Sequence, residues 1–240
     1  LSKFWKLSPV AMPVEASIVT YDSFLIDRLN SLAPDYKGIP FKATNKLAKE
    51  YYRTLVSSKT RLRNMRAKAS LYGYFMQYMG IQGYYNPFTG EAQVNNALPE
   101  FMLPFVVCHE MAHQSGIAAE DDANLLSYAI CVSSSDSSFR YSGYFNLWLY
   151  TQNRLKKLNP TVADTMFAHL NTLSKAQVDT LHKIRMEYRS AFSEWSADVY
   201  DKYLKFHNQK DGIKSYNNVV LSAYEWEIRK RNGEVDLKIP

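Results

Sequence analysis

Apolar residues recur at three- and four-residue spacings over most of this chain, which predicts a mainly helical protein. Residues 1–15, with Pro9 and Pro13, read as an irregular lead-in, and 16–33 as a helix. Pro34 and Gly38-Ile39-Pro40 mark a loop. From Lys42 to about Tyr72 the spacing of Leu47, Tyr51, Leu55, Leu62 and Met65 predicts helix, with a break near Ser57-Ser58. Residues 73–98 differ: Gly80, Gly83, Pro87 and Gly90 cluster there, and Asn86-Pro87-Phe88-Thr89-Gly90 has turn chemistry. A small β-hairpin over 80–86 and 91–96 is expected. After Pro99 helices are expected near 104–115, 119–135, 138–157, 161–172, 175–192, 194–207 and 213–230. Gly116, Asn159-Pro160 and Gly212 mark breaks between them. Together these predict one mainly α (α+β) domain over 1–240, with a hairpin just before the helix that carries the chemistry.

That helix contains His109-Glu110-Met111-Ala112-His113. Residues i and i+4 lie on one helical face, so two imidazoles can reach one cation. Glu110 is offset by about 100° and falls beside the cation, where a general base is wanted. Pro104 suits a helix start and Gly116 the position just past its end. Phe105, Val106, Val107 and Cys108 make the helix apolar on several sides, hence buried. Buried imidazoles need partners, and a metal would serve. A catalytic zinc site takes three protein ligands and leaves a fourth position open. Two carboxylates qualify as the third ligand: Glu120 with Asn124 four residues on, and Glu194 with Asp198. In each pair the second residue would orient a ligand histidine. Glu120 is preferred, because Gly116 permits a turn that folds the next helix back over the first. Acids in a first helical turn also simply complement the helix dipole, which accounts for Asp121 and Asp122.

Composition narrows the choices. The chain has 240 residues, 46% hydrophobic and 14% aromatic, which supports a sizeable core and excludes disorder. A net charge of +6 slightly favours acidic partners or an anionic membrane surface, but a solvated, mildly basic surface is the preferred reading. The densest basic stretch, Lys59 to Lys68, spreads around a helix with apolar residues between, so no nucleic-acid partner is expected. The two cysteines, Cys108 and Cys131, form no CxxC motif. They would pair only if their helices pack side by side, and two free buried thiols explain them equally well. No apolar run reaches the roughly 18 residues that span a bilayer, and no signal peptide is visible. The chain starts at Leu1 instead of Met, which reads as a fragment or processed form.

HExxH with a downstream ExxxN or ExxxD resembles the gluzincin group of zinc metallopeptidases. HEMAHQSG also resembles the metzincin motif HExxHxxGxxH, but Ala119 stands where that motif has its third ligand. Four blocks, GYYNPFTGEAQVN, LPFVVCHEMAHQSGIAAEDDANLLSYAIC, FRYSGYF and YLKFHNQKDGIKSY, are similar to a bacterial family of uncharacterised, membrane-anchored, zincin-like proteins known only as a domain of unknown function. The resemblance implies that this chain is the soluble, extracytoplasmic part of a longer protein, with membrane association through segments outside it. It also implies that Glu120 and Asn124 belong with His109 and His113.

The expected function is therefore zinc-dependent (Zn2+) hydrolysis of peptide bonds in a peptide or protein substrate. Glu110 would take the proton from the attacking water and deliver it to the leaving amine. Tyr141 and Tyr216 are the expected oxyanion donors, with Tyr144 and Arg140 as further candidates. An exposed strand at 91–96 would hold the substrate by main-chain hydrogen bonds. The alternatives are a hydrolase of other bonds, and a non-catalytic zinc-binding or helical interaction module. A fourth protein ligand from Glu194, His169 or His182 would favour the module, since structural zinc sites are closed.

Overall fold

Short polar caps cut the chain into helices where the sequence changes period. The computed structural model describes residues 5, 7, 14–55, 65–188 and 216–234. These form nine α-helices: α1 Val14–Leu32, α2 Phe41–Leu55, α3 Gly73–Met79, α4 Leu103–Gln114, α5 Glu120–Ser133, α6 Ser137–Leu158, α7 Pro160–Ala168, α8 Thr172–Glu187 and α9 Tyr216–Arg231. Three strands, β1 Ala67–Ala69, β2 Gly83–Asn86 and β3 Glu91–Val94, make a small mixed sheet. Asp136 caps α6 by accepting from the Ser138 and Phe139 amides. Asn159 ends α6 and caps α7 through the Val162 amide, with Pro160 in the first turn, as the Asn-Pro pair predicts. Asn171 caps α8 in the same way.

α6 is the spine of the fold. α1, α4, α5, α7 and α9 all pack on it, and α4 lies between α5 and the sheet. The buried side chains form one continuous cluster, in which Trp148, Trp226, Tyr21, Tyr52, Tyr128 and Tyr141 are the largest fully buried members. α5 and α6 approach closely at Gly143, where a Cβ would come within 2.7 Å of the Cys131 Cβ. α4 and α5 pack side by side, and Cys108 and Cys131 meet between them as free, buried thiols. Burial, then hydrogen bonding with Cys108, pushes the Cys131 thiol well up.

Three expectations are corrected. Residues 67–69 form a strand, not a continuation of helix, because they pair in parallel with β3 (Ala67 opposite Ala92, Ala69 opposite Val94). A contact some 25 residues away in sequence overrides the local period here. Helix α3 was hidden in a glycine-rich stretch; it is only seven residues long and ends at Gly80, whose φ is 67°. Strand β3 is not exposed for pairing. The sheet order is β1-β3-β2, so β3 is central and both its edges are taken. The hairpin itself is present, with β2 antiparallel to β3 and Gly83 opposite Val94. The helix expected over 194–207 lies outside the described residues. No helix among the described residues is long and apolar enough to cross a membrane.

Candidate metal centre

Helix α4 is buried on nearly every side. Leu103 to Cys108, Glu110, Met111 and Ala112 are all enclosed, and only His109, His113 and Gln114 are partly open. Gly116, at φ 105°, then turns the chain back. The next helix therefore starts beside the end of α4 with Glu120 as its first residue. The two imidazoles stand edge to face, with ring centroids 4.7 Å apart. His109 Nε2 and His113 Nε2 are 3.1 Å apart. Glu120 Oε2 lies 3.2 Å from His109 Nε2, and Glu120 Oε1 lies 3.5 Å from His113 Nε2.

Three electron-pair donors converge on one point here. Ligands about 2.0–2.1 Å from a tetrahedral cation stand roughly 3.3 Å from one another, close to the 3.1 Å between the imidazoles and the 3.2 Å from His109 Nε2 to Glu120 Oε2, while the other Glu120 oxygen lies 3.5 Å from His113 Nε2. Two Nε2 atoms that face each other at 3.1 Å repel unless a proton or a cation lies between them. The tautomer also suits a ligand: His113 Nδ1 is 2.7 Å from the Ile117 carbonyl. Donation there leaves Nε2 free to bind. His109 Nδ1 is buried without a partner. The residues present thus fit a metal ion held by His109, His113 and Glu120.

Glu110 points elsewhere. Its carboxylate lies against β2, where a Cβ built on Gly83 would fall 2.5 Å from Oε1 and 2.7 Å from Cγ. Any other residue at 83 would push the carboxylate aside, which gives this glycine a reason independent of backbone conformation. Burial drives the Glu110 carboxyl up to about 7 against the pull of His109 and His113, with the Glu120 charge adding to the rise. Burial also opposes the charge on Glu120, but hydrogen bonds from His109 and His113, then their charge, hold that carboxyl well below the usual range. The His113 imidazole is pushed up overall: burial lowers it, and the bond to Glu120 and that group's charge outweigh the burial. Gln114 fastens the end of α4 to the sheet, donating from Nε2 to the Gly90 carbonyl at 2.8 Å and accepting from the Arg66 amide at 3.0 Å.

The structure brings together four of the residues expected at the site: His109, His113, Glu120 and Glu110. Asn124 lies buried one turn along α5, but no hydrogen bond joins it to either histidine and its Nδ2 has no partner. The Ile117 carbonyl takes the orienting role for His113 instead. Tyr141 is not at the site. It is fully buried, 2.6 Å from both Ser174 Oγ and Gln177 Oε1, and it joins α6 to α8. Tyr144 is buried among Phe24 and Tyr128, and Arg140 binds the Ser134 and Ser135 carbonyls. The tyrosine of α6 that senses Glu120 is Tyr150, pushed up first by burial and then by that carboxylate. It stands nine residues, about 13.5 Å, further along the helix than Tyr141. Tyr216 opens α9, and its side chain lies outside the described residues, as do Glu194 and Asp198. His169 and His182 are not members of the group. Sequence reasoning missed Gly83, Gln114, Ile117 and Tyr150. Gly83 carried a faint signal, as a glycine inside an expected strand.

The chain belongs to DUF3810, a family of proteins of unknown function whose profile matches residues 6–223. No curated protein and no solved structure matches it.

Proposed function

We propose that this protein is a zinc-dependent hydrolase that cleaves peptide bonds. The observation that carries the reading is the division of labour among four groups on α4 and α5. His109, His113 and Glu120 point their donor atoms at one spot, while Glu110 is held apart from them by contact with β2. Two imidazoles and one carboxylate suit zinc, and three protein ligands leave a coordination position open, as in catalytic zinc sites. A bound zinc ion would supply Lewis acidity and lower the pKa of a water molecule. Glu110 then takes the proton of the attacking water on its carboxylate and passes it to the departing amine nitrogen. With Nδ1 donating to the Ile117 carbonyl, neutral His113 would offer Nε2 to the ion.

The sheet supplies a place for an extended substrate. β2 is an outer strand and passes directly beside Glu110 at Gly83. A peptide laid along its outer edge, which no described strand pairs with, would cross the site by strand addition, the task first expected of β3. The deciding experiment is elemental analysis of purified protein beside His113→Ala and Glu120→Ala, followed by peptide-library cleavage with Glu110→Gln as control. Near-stoichiometric zinc lost in both variants, with cleavage lost in Glu110→Gln, supports the proposal. Zinc retained by Glu120→Ala would transfer the third ligand to another carboxylate, Glu194 first. A wild-type chain that takes up no metal when zinc is supplied would leave a helical interaction module.

A further inference from the structure

Strand β2 presents alternate side chains to α4. Gly83 points at Glu110, since a Cβ there would fall 2.5 Å from Oε1. Residues two apart on a strand share a face, which puts Tyr85 on the same face as Gly83. The register agrees. Gly83 and Tyr85 stand opposite Val94 and Ala92, both fully buried, in a sheet whose β2 and β3 pack on α4. Tyr84 stands opposite Gln93 on the other face, and its hydroxyl donates to Gln93 Oε1 at 2.8 Å.

The direction of the strand sets how far along α4 Tyr85 falls. Gly83 lies over Glu110, and the hairpin is tied to the helix end where Gln114 Nε2 donates to the Gly90 carbonyl. Strand rise carries Tyr85 roughly 7 Å past Gly83, towards the Gln114 end of α4 and so along the turn that contains His113. β2 is also the sheet edge that touches Glu110, the residue next to His109 on α4. Tyr85 is half-buried, and its hydroxyl makes no hydrogen bond to the described residues. The hydroxyls of Tyr52, Tyr84, Tyr128 and Tyr141 all bond to protein groups.

We infer that Tyr85 donates its phenolic hydrogen to the carbonyl oxygen of a peptide substrate at this centre, an inference that rests on the hydrolase reading above. That oxygen gains negative charge when water adds to the carbonyl carbon, and a preplaced O–H donor stabilises it most at that moment. Tyr85 thus fills on β2 the role that Tyr141, locked into the α6–α8 seam, does not fill.

The test uses wild-type chain, Tyr85→Phe and Tyr84→Phe, each loaded with Co2+ and titrated with acetohydroxamic acid while visible absorption is read. The probe places a carbonyl oxygen on the metal without needing turnover. All three proteins are expected to load equally, Tyr85→Phe to bind the probe about tenfold more weakly, and Tyr84→Phe to match wild type. Equal affinity in Tyr85→Phe at full metal loading overturns the inference and leaves the hydrolase reading intact. Equal weakening in both variants also overturns it, by pointing to the hairpin as a whole. A wild-type chain that binds no metal removes both.

Discussion

Two sets of buried acids show what this fold does with charge. On the α4–α5 side, Glu110 and Glu120 share a small volume with two imidazoles, and their protonation is driven apart. In the α1–α6 seam, Asp22 is fully buried with Gln152 Nε2 on Oδ2 at 3.0 Å and no partner for Oδ1. Burial alone pushes the Asp22 carboxyl up to about 7, against the single hydrogen bond from Gln152. Asp22 and Glu110 are thus raised by the same cause, yet only Glu110 sits beside groups that could hold a metal and against an outer strand of the sheet. A raised carboxyl marks burial; convergent donors mark a site.

Replacing a ligand should break that contrast most severely. Glu120→Ala removes one of three converging donors, and its zinc affinity should fall by more than the roughly 100-fold typical of outer-shell changes. Metal retention after dialysis reads this out. Glu110→Gln should keep its metal and its fold but lose about 10²–10⁴-fold in peptide hydrolysis, since it removes only proton transfer. Elemental analysis and a cleavage assay on the same preparation separate the two effects.

Asp22→Asn tests the other side. The Asp22 carboxyl titrates at about 7 folded against 3.8 in the free chain, so the folded state holds its proton more firmly. Its contribution to stability is present below pH 4 and is lost as the pH rises through 7. Asparagine escapes that loss. The variant should be more stable than wild type by roughly 2–4 kcal/mol at pH 8 and by little at pH 4. Urea unfolding at both pH values checks it, and a difference of equal size at both would show that charge is not the cause.

The smallest effects come from two glycines under the same steric pressure. Gly143→Ala would drive a methyl to within 2.7 Å of the Cys131 Cβ and 3.0 Å of Val132 Cγ1. Overpacking of this kind costs about 1–3 kcal/mol and should lower thermal stability while metal content stays unchanged. Gly83→Ala meets a carboxylate that is free to shift, so it should cost less stability but displace Glu110 and reduce hydrolysis about 10–100-fold. Melting curves beside kcat for the pair show whether the two regions separate stability from chemistry.

Most of the helical plan was legible in the chain because capping and period are local. Pro104, Asn159-Pro160 and Asn171 act within a turn of where they stand. So were His109 and His113, which share a face by helical geometry alone. Glu120 could be preferred because seven residues and one glycine suffice to bring it back onto α4, but Glu194 stayed open as the second choice. Spacing alone could not put the Glu120 oxygens 3.2–3.5 Å from both imidazoles; the packing of α5 on α4 did. Nor could it choose among eighteen tyrosines, which differ only in what surrounds them. Tyr141 points into the α8 seam and Tyr150 lies near Glu120, although both are on one helix. The order β1-β3-β2, which puts β2 instead of β3 at an edge of the described sheet, depends on β1 joining from 25 residues upstream. Local sequence determined which segments are helices and which residue types chemistry would use. Long-range packing decided which strand lies at the edge of the described sheet, which oxygen steadies His113 and which carboxylate rests on Gly83, because each of these depends on atoms that only the folded chain brings together.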